Sequence, residues 1–274
     1  MNKRSMRISA FLAFFAALIT LLTLTSATYA WFTFTAATNV TPISGTVSHG
    51  EGSLLISNDR GGPFDVSCEL RLDPDSGDLS PLSTADLEHF FASTVQDSSG
   101  ITLRCADVSD LAASRAVHGK VYLLSEGNDF TVYLWKDGLS CGSDDQALAA
   151  MRLGLKITTA EGTMKRIFRL DELGSTSGAA AQLTVPQDNS VVAAISENGT
   201  PVYVRDVSVP IGTSFAHGGA DRIEPGETAL CSLREGEIAE VEYWLYLEGC
   251  DINCINTVQR RDVALRLQFA GIQR

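Results

Sequence analysis

The stretch Glu240-Val241-Glu242-Tyr243-Trp244-Leu245-Tyr246-Leu247-Glu248 decides the fold class of this 274-residue chain. Val241, Tyr243, Leu245 and Leu247 occupy every second position, and the other positions of the stretch hold three glutamates, Trp244 and Tyr246. A side-chain period of two residues is typical of a β-strand that buries one face and leaves the other in water. The stretch therefore predicts a long strand with its apolar face in a core.

Three other runs show the same period: Phe130–Trp135, Leu153–Ile157 and Val263–Ala270. Gly154 is the one glycine within the four runs, and a glycine inside a strand often marks a bulge or a close backbone approach. Strands with one apolar face bury it most simply as two packed antiparallel sheets. We therefore predict an all-β fold, an antiparallel β-sandwich for which the jelly roll is one candidate form, after a single N-terminal apolar helix.

Two capping-box patterns predict short helices that cover or connect the sheets. Ser83-Thr84-Ala85-Asp86 precedes Leu87, Phe90 and Phe91, which would share one helical face. Ser143-Asp144-Asp145-Gln146 precedes Leu148 and Met151 in the same way.

The N-terminus carries an export signal. Lys3, Arg4 and Arg7 precede the uncharged apolar stretch Ile8–Ala30, which has 23 residues. About 20 helical residues cross a bilayer core, and basic residues before the helix favour a cytoplasmic N-terminus. The small residues that end at Ala30 also suit cleavage by a signal peptidase. We predict that residues 1–30 are a signal peptide or a transmembrane anchor, and that residues 31–274 form one extracytoplasmic domain.

Charge separates the leader from the rest of the chain. Residues 31–274 hold all 33 acidic residues and 18 of the 21 basic ones, which gives a formal charge of −15. Nucleic-acid binding needs clustered Lys and Arg to neutralise phosphates, so we expect no nucleic-acid partner. The membrane is an expected partner only through residues 8–30, unless these are removed.

The six cysteines permit disulfides in an exported chain. Cys250 and Cys254 are the best local pair for a disulfide, while the connectivity of the others stays open. Structural zinc is bound by four Cys or His side chains, and no histidine lies beside this pair in sequence. The six residues are Cys68, Cys105, Cys141, Cys231, Cys250 and Cys254.

Known catalytic patterns are missing, so we predict a protein that is not an enzyme and needs no cofactor. The sequence contains no His-Glu-x-x-His zinc motif, no Gly-x-Ser-x-Gly elbow and no phosphate-binding Gly-x-x-x-x-Gly-Lys-Ser/Thr loop. The acidic stretch Asp73–Asp78 departs from a calcium-binding EF-hand loop, because Thr84 stands where that loop carries Glu. We interpret this stretch as a polar turn and predict no metal site. His217-Gly218-Gly219 is interpreted as a glycine turn with an exposed histidine.

The residues after the leader predict an assembly strand. In Trp31-Phe32-Thr33-Phe34-Thr35, the rings of Phe32 and Phe34 lie on one face and the threonines on the other. A strand freed by cleavage after Ala30 can pair with an open sheet edge of a neighbouring molecule. Repeated head-to-tail pairing that does not close builds a filament. The alternatives are a strand that pairs within its own sheet and a linker to the membrane.

Two parts of the chain resemble one family. Ala27–Thr33, Asn39 and Ile43–Val47 resemble the export region of the TasA/camelysin-like proteins of Gram-positive bacteria, and Tyr243–Gly249 with Asp251 and Cys254 resembles a late strand and loop of such exported proteins. The resemblance implies a jelly-roll ectodomain, a dedicated signal peptidase and extracellular fibres of a biofilm matrix. Metallopeptidase activity described in camelysin-like members is not carried over, because this chain has no zinc motif.

Three functions follow as hypotheses. The first is an exported cell-surface or matrix structural protein that assembles by donation of the strand containing Trp31, Phe32 and Phe34. The second is a membrane-anchored binding module for a cell-wall or surface partner, with a stacking surface made of exposed rings. The third is a hydrolase whose site is assembled from scattered residues. The rings in the second hypothesis are Tyr133, Trp135, Trp244 and Tyr246.

Overall fold

The structure is a computed structural model that describes residues 46–48, 52–71, 73–75, 79–95, 102–135, 140–141, 145–170, 191–193, 195–197, 200–202, 208–219, 222–251, 254 and 265–274. All of them belong to the compact unit Ala36–Arg274. No helix in these ranges is long and apolar enough to cross a bilayer. The apolar stretch at residues 8–30 lies outside the described residues.

Strands dominate the described residues, and the all-β prediction is confirmed. One α-helix, α1 (Asp145–Ala150), and three short 3-10 turns (Ser109–Leu111, Ala113–Arg115 and Ile211–Ser214) accompany them. The strands are β1 (Thr46–Ser48), β2 (Ser53–Ser57), β3 (Pro81–Leu82), β4 (Phe91–Val95), β5 (Thr102–Asp107), β6 (Val117–Glu126), β7 (Phe130–Trp135), β8 (Ser140–Cys141), β9 (Met151–Thr159), β10 (Gly162–Arg169), β11 (Val191–Ala193), β12 (Ile195–Glu197), β13 (Thr200–Val202), β14 (Val209–Pro210), β15 (Phe215–Gly219), β16 (Arg222–Glu224), β17 (Cys231–Leu233), β18 (Ile238–Glu248), β19 (Leu265–Arg266) and β20 (Phe269–Gln273).

Two larger sheets contain most of these strands. In the first, which we call the β18 sheet, the order is β14-β10-β9-β18-β6-β2, and β3 pairs with the end of β18. In the second, the β7 sheet, the order is β1-β20-β7-β15-β16, and β17 also pairs with β7. Smaller sheets are formed by β11-β5-β4, by β12-β13 and by β19-β8.

Both larger sheets are mixed, which departs from the purely antiparallel prediction. The parallel pairs are β10 with β14, β18 with β3, β1 with β20, and β15 with β7. Antiparallel neighbours can be joined by a tight hairpin, whereas parallel neighbours need a long crossover. A period-two pattern reports which face of a strand is buried and carries no information about its partner's direction.

The predicted strands exist, with one correction. Strands β7, β9 and β18 coincide with three of the alternating runs. The fourth run does not form one strand, because its described part divides into β19 and β20. Between them the chain turns toward β7, where the amide of Trp135 donates to the carbonyl of Gln268 at 2.8 Å.

The segment 83–91 is not the predicted helix. Thr84 Oγ1 accepts the amide of Leu87 at 3.0 Å, as an N-cap would, but Asp86 Oδ1 then accepts the amides of Glu88 and His89. A short side chain that binds nearby amides offers the backbone an alternative to the helix. Leu87 accordingly has φ 57°, in the left-handed region. The second capping pattern does lead into a helix, α1, although Met151 already begins β9.

Gly154 is a point of close approach, as its position in a strand predicts. A Cβ atom at this residue would lie 2.4 Å from Cδ2 of Leu87. Leu87 and Phe90 pack there against Trp244 and Tyr246, on the face of the β18 sheet that the alternating pattern leaves for solvent. The segment 82–91 therefore covers this part of the sheet, and the last residues of β18 are buried on both faces.

Candidate functional site

Among the described residues, no strand pairs with the outer side of β10 along Gly162–Ile167. On one side β9 pairs with all of β10, whereas on the other side the described residues provide only β14, which pairs with Phe168 and Arg169. Because β9 and β10 are joined by two residues, their closing pair is hydrogen-bonded and alternate residues of β10 face outward. The N–H groups of Thr163, Lys165 and Ile167 therefore point to the open side. We call residues 162–167 the β10 edge.

Two grooves lie along the β10 edge. The first, of about 240 Å³, is lined by Ile157 and Met164 of the β18 sheet and by Cys231 of the β7 sheet. Ile157 and Met164 are register partners, so their side chains share the face that points to the core. Burial raises the pKa of the Cys231 thiol to about 12, so this part of the groove wall is uncharged at neutral pH, whereas Glu161 adds a carboxylate at the hairpin end of the groove. The second groove, of about 300 Å³, is lined by Lys165 and Arg166 among others.

The predicted assembly residues Trp31, Phe32 and Phe34 lie outside the described residues. The sequence did not identify the β10 edge as a site. The sequence could have pointed to this edge only in part. The alternating pattern marks β9 as a core strand, but no local pattern shows that β10, its hairpin partner, lies near the edge of the sheet.

The prediction of an exposed aromatic stacking surface is wrong. Tyr133, Trp244 and Tyr246 are buried, and Trp135 is partly buried. Trp244 and Tyr246 lie beneath the segment 82–91, while Tyr133 packs against Ala216 and Ala270. The binding-module hypothesis loses the surface on which it was based.

The structure does not bring the sulfur atoms of Cys250 and Cys254 to bonding distance, and the possible disulfide between them stays a prediction. Two consecutive turns hold this loop: the amide of Asp251 donates to the carbonyl of Glu248, and the amide of Cys254 to that of Asp251, both at 2.9 Å. This backbone brings both thiols to one buried region without bringing the sulfur atoms to bonding distance. Burial and the carboxyl groups of Asp251 and Glu248 raise the pKa of Cys254, and a protonated thiol is a poor nucleophile.

A buried polar cluster surrounds this loop, and no local sequence pattern predicted it. Arg152 and Asp251 have fully buried side chains and form an ion pair at 2.6 Å between Nη2 and Oδ2. Arg152 also donates to the carbonyls of Ala149 and Met151, both at 3.0 Å. The cluster joins β9 to the loop after β18, and the partners are 99 residues apart in sequence.

Glu248 is the second buried carboxyl of this cluster. It accepts the hydroxyl of Ser83 and, at 3.2 Å, the amide of Cys250. Burial raises the pKa of Glu248 well above its ordinary value, which favours the neutral form of its carboxyl group. The cluster therefore joins a buried ion pair to a second buried carboxyl group, and its hydrogen bonds fasten β3 and the loop to the end of β18.

A chain of ion pairs crosses the uncovered part of the same sheet face. Glu242 lies 3.9 Å from Lys156, Lys156 lies 3.5 Å from Glu88, and Glu88 lies 2.9 Å from Lys165. Glu242 also contacts Nε2 of His118 at 2.9 Å. The strand register explains this row of charged side chains. Glu242 on β18, Lys156 on β9 and Lys165 on β10 lie directly opposite one another as cross-strand partners.

The hydrolase hypothesis required a histidine within hydrogen-bond reach of a nucleophile or carboxylate in a pocket. His118 contacts Glu242, and Nδ1 of His89 lies 2.7 Å from Asp86. Neither histidine lines one of the grooves described for this molecule. His217 does line a groove, of about 590 Å³, where it is exposed, lies on β15 rather than in a turn, and is 3.8 Å from Glu224. The prediction that the protein is not an enzyme stays a prediction.

The acidic stretch after residue 72 forms a polar turn where it is described. The amide of Asp75 donates to Oδ1 of Asp73 at 3.0 Å. Within the described part of the chain, no group of three or more His, Cys, Asp or Glu residues has the geometry of a metal site.

Comparisons of this chain with protein-family models, with curated proteins and with solved structures found no match. The resemblance to TasA/camelysin-like proteins stays a prediction that rests on the short motifs alone.

Proposed function

We propose that this chain is an exported structural protein of the cell surface or extracellular matrix, whose molecules assemble by strand donation. The residues from Trp31 to Thr35 of one molecule would add to the β10 edge of the next. The observation that carries the proposal is the β10 edge itself, a strand whose outward N–H groups lie beside a groove with Ile157, Met164 and Cys231 in its wall. Open edges of this kind are templates for pairing with another chain.

The domain that presents this edge is best described as a β-sandwich. The chain passes from one larger sheet to the other between β1 and β2, between β6 and β7, and between β17 and β18. A Cβ atom at Gly271 of the β7 sheet would lie 3.3 Å from Cβ of Leu54 of the β18 sheet, so the two sheets meet there. The parallel pairs argue against a purely antiparallel jelly roll, and we propose the sandwich without that finer form.

The donated strand suits the β10 edge in length and pattern. Its five residues fit within the six residues of the edge. Main-chain hydrogen bonds would supply affinity, and side-chain pockets would supply specificity. Phe32 and Phe34 would point to the groove that Ile157, Met164 and Cys231 line, and the threonines would face the opposite side. The donor's side chains carry no charge, so their burial in this groove costs no ion desolvation, and the α-amino group that cleavage would leave on Trp31 lies at the very end of the strand.

The leader places this assembly outside the cell. Cleavage after Ala30 would free Trp31 as the first residue, whereas retention of the leader would tether the domain to the membrane. The strongly acidic composition keeps unassembled molecules soluble through mutual repulsion.

Replacement of both Phe32 and Phe34 by Asp is expected to abolish fibres in electron micrographs of the secreted protein. Two charges would have to enter an apolar groove, and an unpaired buried charge is strongly unfavourable. The matched control places the same charges on the other face, in Thr33→Asp/Thr35→Asp, and should still form fibres. Fibres of normal length from the phenylalanine double variant would contradict the proposal.

The acceptor is tested separately by Thr163→Pro. Proline removes an N–H that points outward, and an edge strand tolerates it there because no bond to β9 is lost. We expect a monomer of normal thermal stability that no longer joins fibres, measured by sedimentation and microscopy. Thr163→Ala keeps the N–H and serves as control, since it loses only the hydroxyl contact with Thr158. Assembly by Thr163→Pro equal to that of Thr163→Ala would exclude the β10 edge as acceptor.

A further inference from the structure

The face of the β18 sheet that the segment 82–91 covers has a gap. A row of four residues, one from each of β6, β18, β9 and β10, crosses this face as directly opposed cross-strand partners: His118, Trp244, Gly154 and Ile167. Because Gly154 has no side chain, the sheet leaves an empty place between Trp244 and Ile167. Leu87 fills this place from the covering segment, and a Cβ atom at Gly154 would overlap its Cδ2 atom. A loop residue therefore completes a layer that the strands leave incomplete.

The loop that carries Leu87 is closed on itself. Two main-chain hydrogen bonds, of 2.8 and 2.9 Å, join its ends at Ser83 and Phe91. Inside the loop, Thr84 accepts the amides of Asp86 and Leu87, and Asp86 accepts the next two amides. In the described part of the chain, no main-chain group of residues 84–89 bonds to a strand of the β18 sheet. Residues 84–89 are therefore fastened to this sheet by side chains alone.

Leu87 is the main attachment. Its side chain is buried, whereas Glu88, which pairs with Lys156 and Lys165, is about half exposed, and exposed ion pairs contribute little to stability. Leu87 occupies this place at a cost to its backbone, because φ 57° is unfavourable for a branched side chain. The apolar contact and the backbone strain at this residue therefore oppose each other.

Phe90, by contrast, is fixed by its main chain. Its carbonyl accepts the amide of Val108 at 2.8 Å, and its amide donates to Oγ of Ser109 at 2.9 Å. Its ring packs on Trp244 with 4.7 Å between the ring centroids. A movement confined to residues 84–89 would therefore leave Phe90 in place and uncover Trp244 on the side that faces Gly154.

We propose that residues 84–89 form a lid that opens on the otherwise folded domain, with Leu87 as its catch in the gap over Gly154. Regions with few buried contacts open locally at a smaller free energy than global unfolding requires, and compact loops whose ends meet are frequently functional. Opening uncovers one flank of Trp244 and a gap that a single leucine side chain fills. The lid is a property of this domain and does not depend on fibre assembly.

Exchange of the indole proton of Trp244 reports the opening. Nε1 of Trp244 is buried and has no acceptor among the described residues, so coverage alone protects it from solvent. The rate is measured by NMR on the isotope-labelled full chain, in which Trp244→Phe identifies the signal among those of the three tryptophans. Below the unfolding transition we expect a rate nearly independent of denaturant, because a local opening exposes little surface. The amides of Leu155 and Val241, in the centre of the sheet, should exchange faster as denaturant is added.

Substitutions at the catch give the second part of the test. Leu87→Ala should speed the indole exchange of Trp244 roughly tenfold or more, since loss of a buried leucine side chain is strongly destabilising. Gly154→Ala should also speed it, because the added methyl group needs the place of Leu87. The double variant Leu87→Ala/Gly154→Ala should exchange more slowly than the product of the two effects, since the methyl group then enters a vacated place. The control is Gly61→Ala, whose Cβ atom meets nothing within 4 Å and should have no effect.

Three results would overturn the lid. If denaturant speeds the indole exchange of wild-type Trp244 as much as that of the Leu155 and Val241 amides, this region opens only by global unfolding. If Leu87→Ala exchanges no faster than Gly61→Ala, Leu87 is not the catch. If the double variant shows the full product of the single effects, residues 87 and 154 do not compete for one place. The wild-type denaturant series and Leu87→Ala decide the matter if Gly154→Ala does not fold.

Discussion

Replacement of Arg152 by Met is expected to lower the free energy of unfolding by about 3–5 kcal/mol, the usual cost of removing one partner from a buried ion pair. The variant leaves the carboxylate of Asp251 in the interior without its cation, because both side chains are fully buried. It also leaves the carbonyls of Ala149 and Met151 without the guanidinium that they accept from. Denaturant unfolding of the purified domain measures the loss.

A double variant separates the charge from the packing. Arg152→Met/Asp251→Leu removes both charges and should recover most of the stability, since apolar replacements of buried pairs are often neutral or stabilising. The matched control is Arg234→Met. Arg234 lies 3.4 Å from Glu161 with both side chains mostly exposed, and exposed pairs contribute about 0–1 kcal/mol. Equal losses in Arg152→Met and Arg234→Met would show that the buried pair has no special role.

Replacement of Glu248 by Gln is expected to stabilise the protein at neutral pH, because the buried carboxyl group must keep its proton there and the amide has none to lose. The pKa of Glu248 is raised by burial in the folded state, so the folded protein binds this proton more tightly than the unfolded chain does. The contribution of the group is complete below the unfolded pKa and is lost as the pH rises through the folded pKa. Gln stays neutral at every pH and escapes this loss.

The pH profile therefore identifies the cause. The advantage of Glu248→Gln should grow as the pH rises from acidic to neutral, and it should disappear below about pH 4.5, the ordinary range for a glutamate. The control Glu240→Gln alters a partly exposed glutamate that pairs with Lys120, and should change stability by no more than about 1 kcal/mol. A Glu248→Gln protein that is less stable than wild type across the whole pH range would contradict the raised pKa of this carboxyl group.

The parts of the fold that were predictable are those that local pattern controls. The alternation in β7, β9 and β18 identified strands because apolar side chains at every second residue form the buried face of each strand. The segment 83–91 carries a true capping signal in Thr84, and yet Asp86 captures the amides that a helix would need. A capping pattern reports a turn, and only the residues after it decide whether a helix follows.

The candidate site was harder to predict from the sequence, because the residues that contact one another there are far apart along the chain. Trp244 and Tyr246 stand at positions that alternation assigns to solvent, and they are buried only because residues 82–91 fold over them. Arg152 also stands at a position of β9 that alternation assigns to solvent, so the sequence alone suggests an exposed arginine. Its ion pair with Asp251 and its burial become visible only in the structure. The β10 edge depends on where the sheet ends, which is a property of the whole chain.

The place of β20 has a consequence for biosynthesis. This strand, Phe269–Gln273, lies between β1 and β7, so the earliest described strand of the sheet finds its neighbour only in a much later part of the chain. A ribosome or translocation channel that has not yet released residues 269–273 holds a nascent chain whose β7 sheet is incomplete. Long-range pairing of this kind folds slowly, so we expect nascent chains to remain open to chaperones and proteases until these residues have emerged.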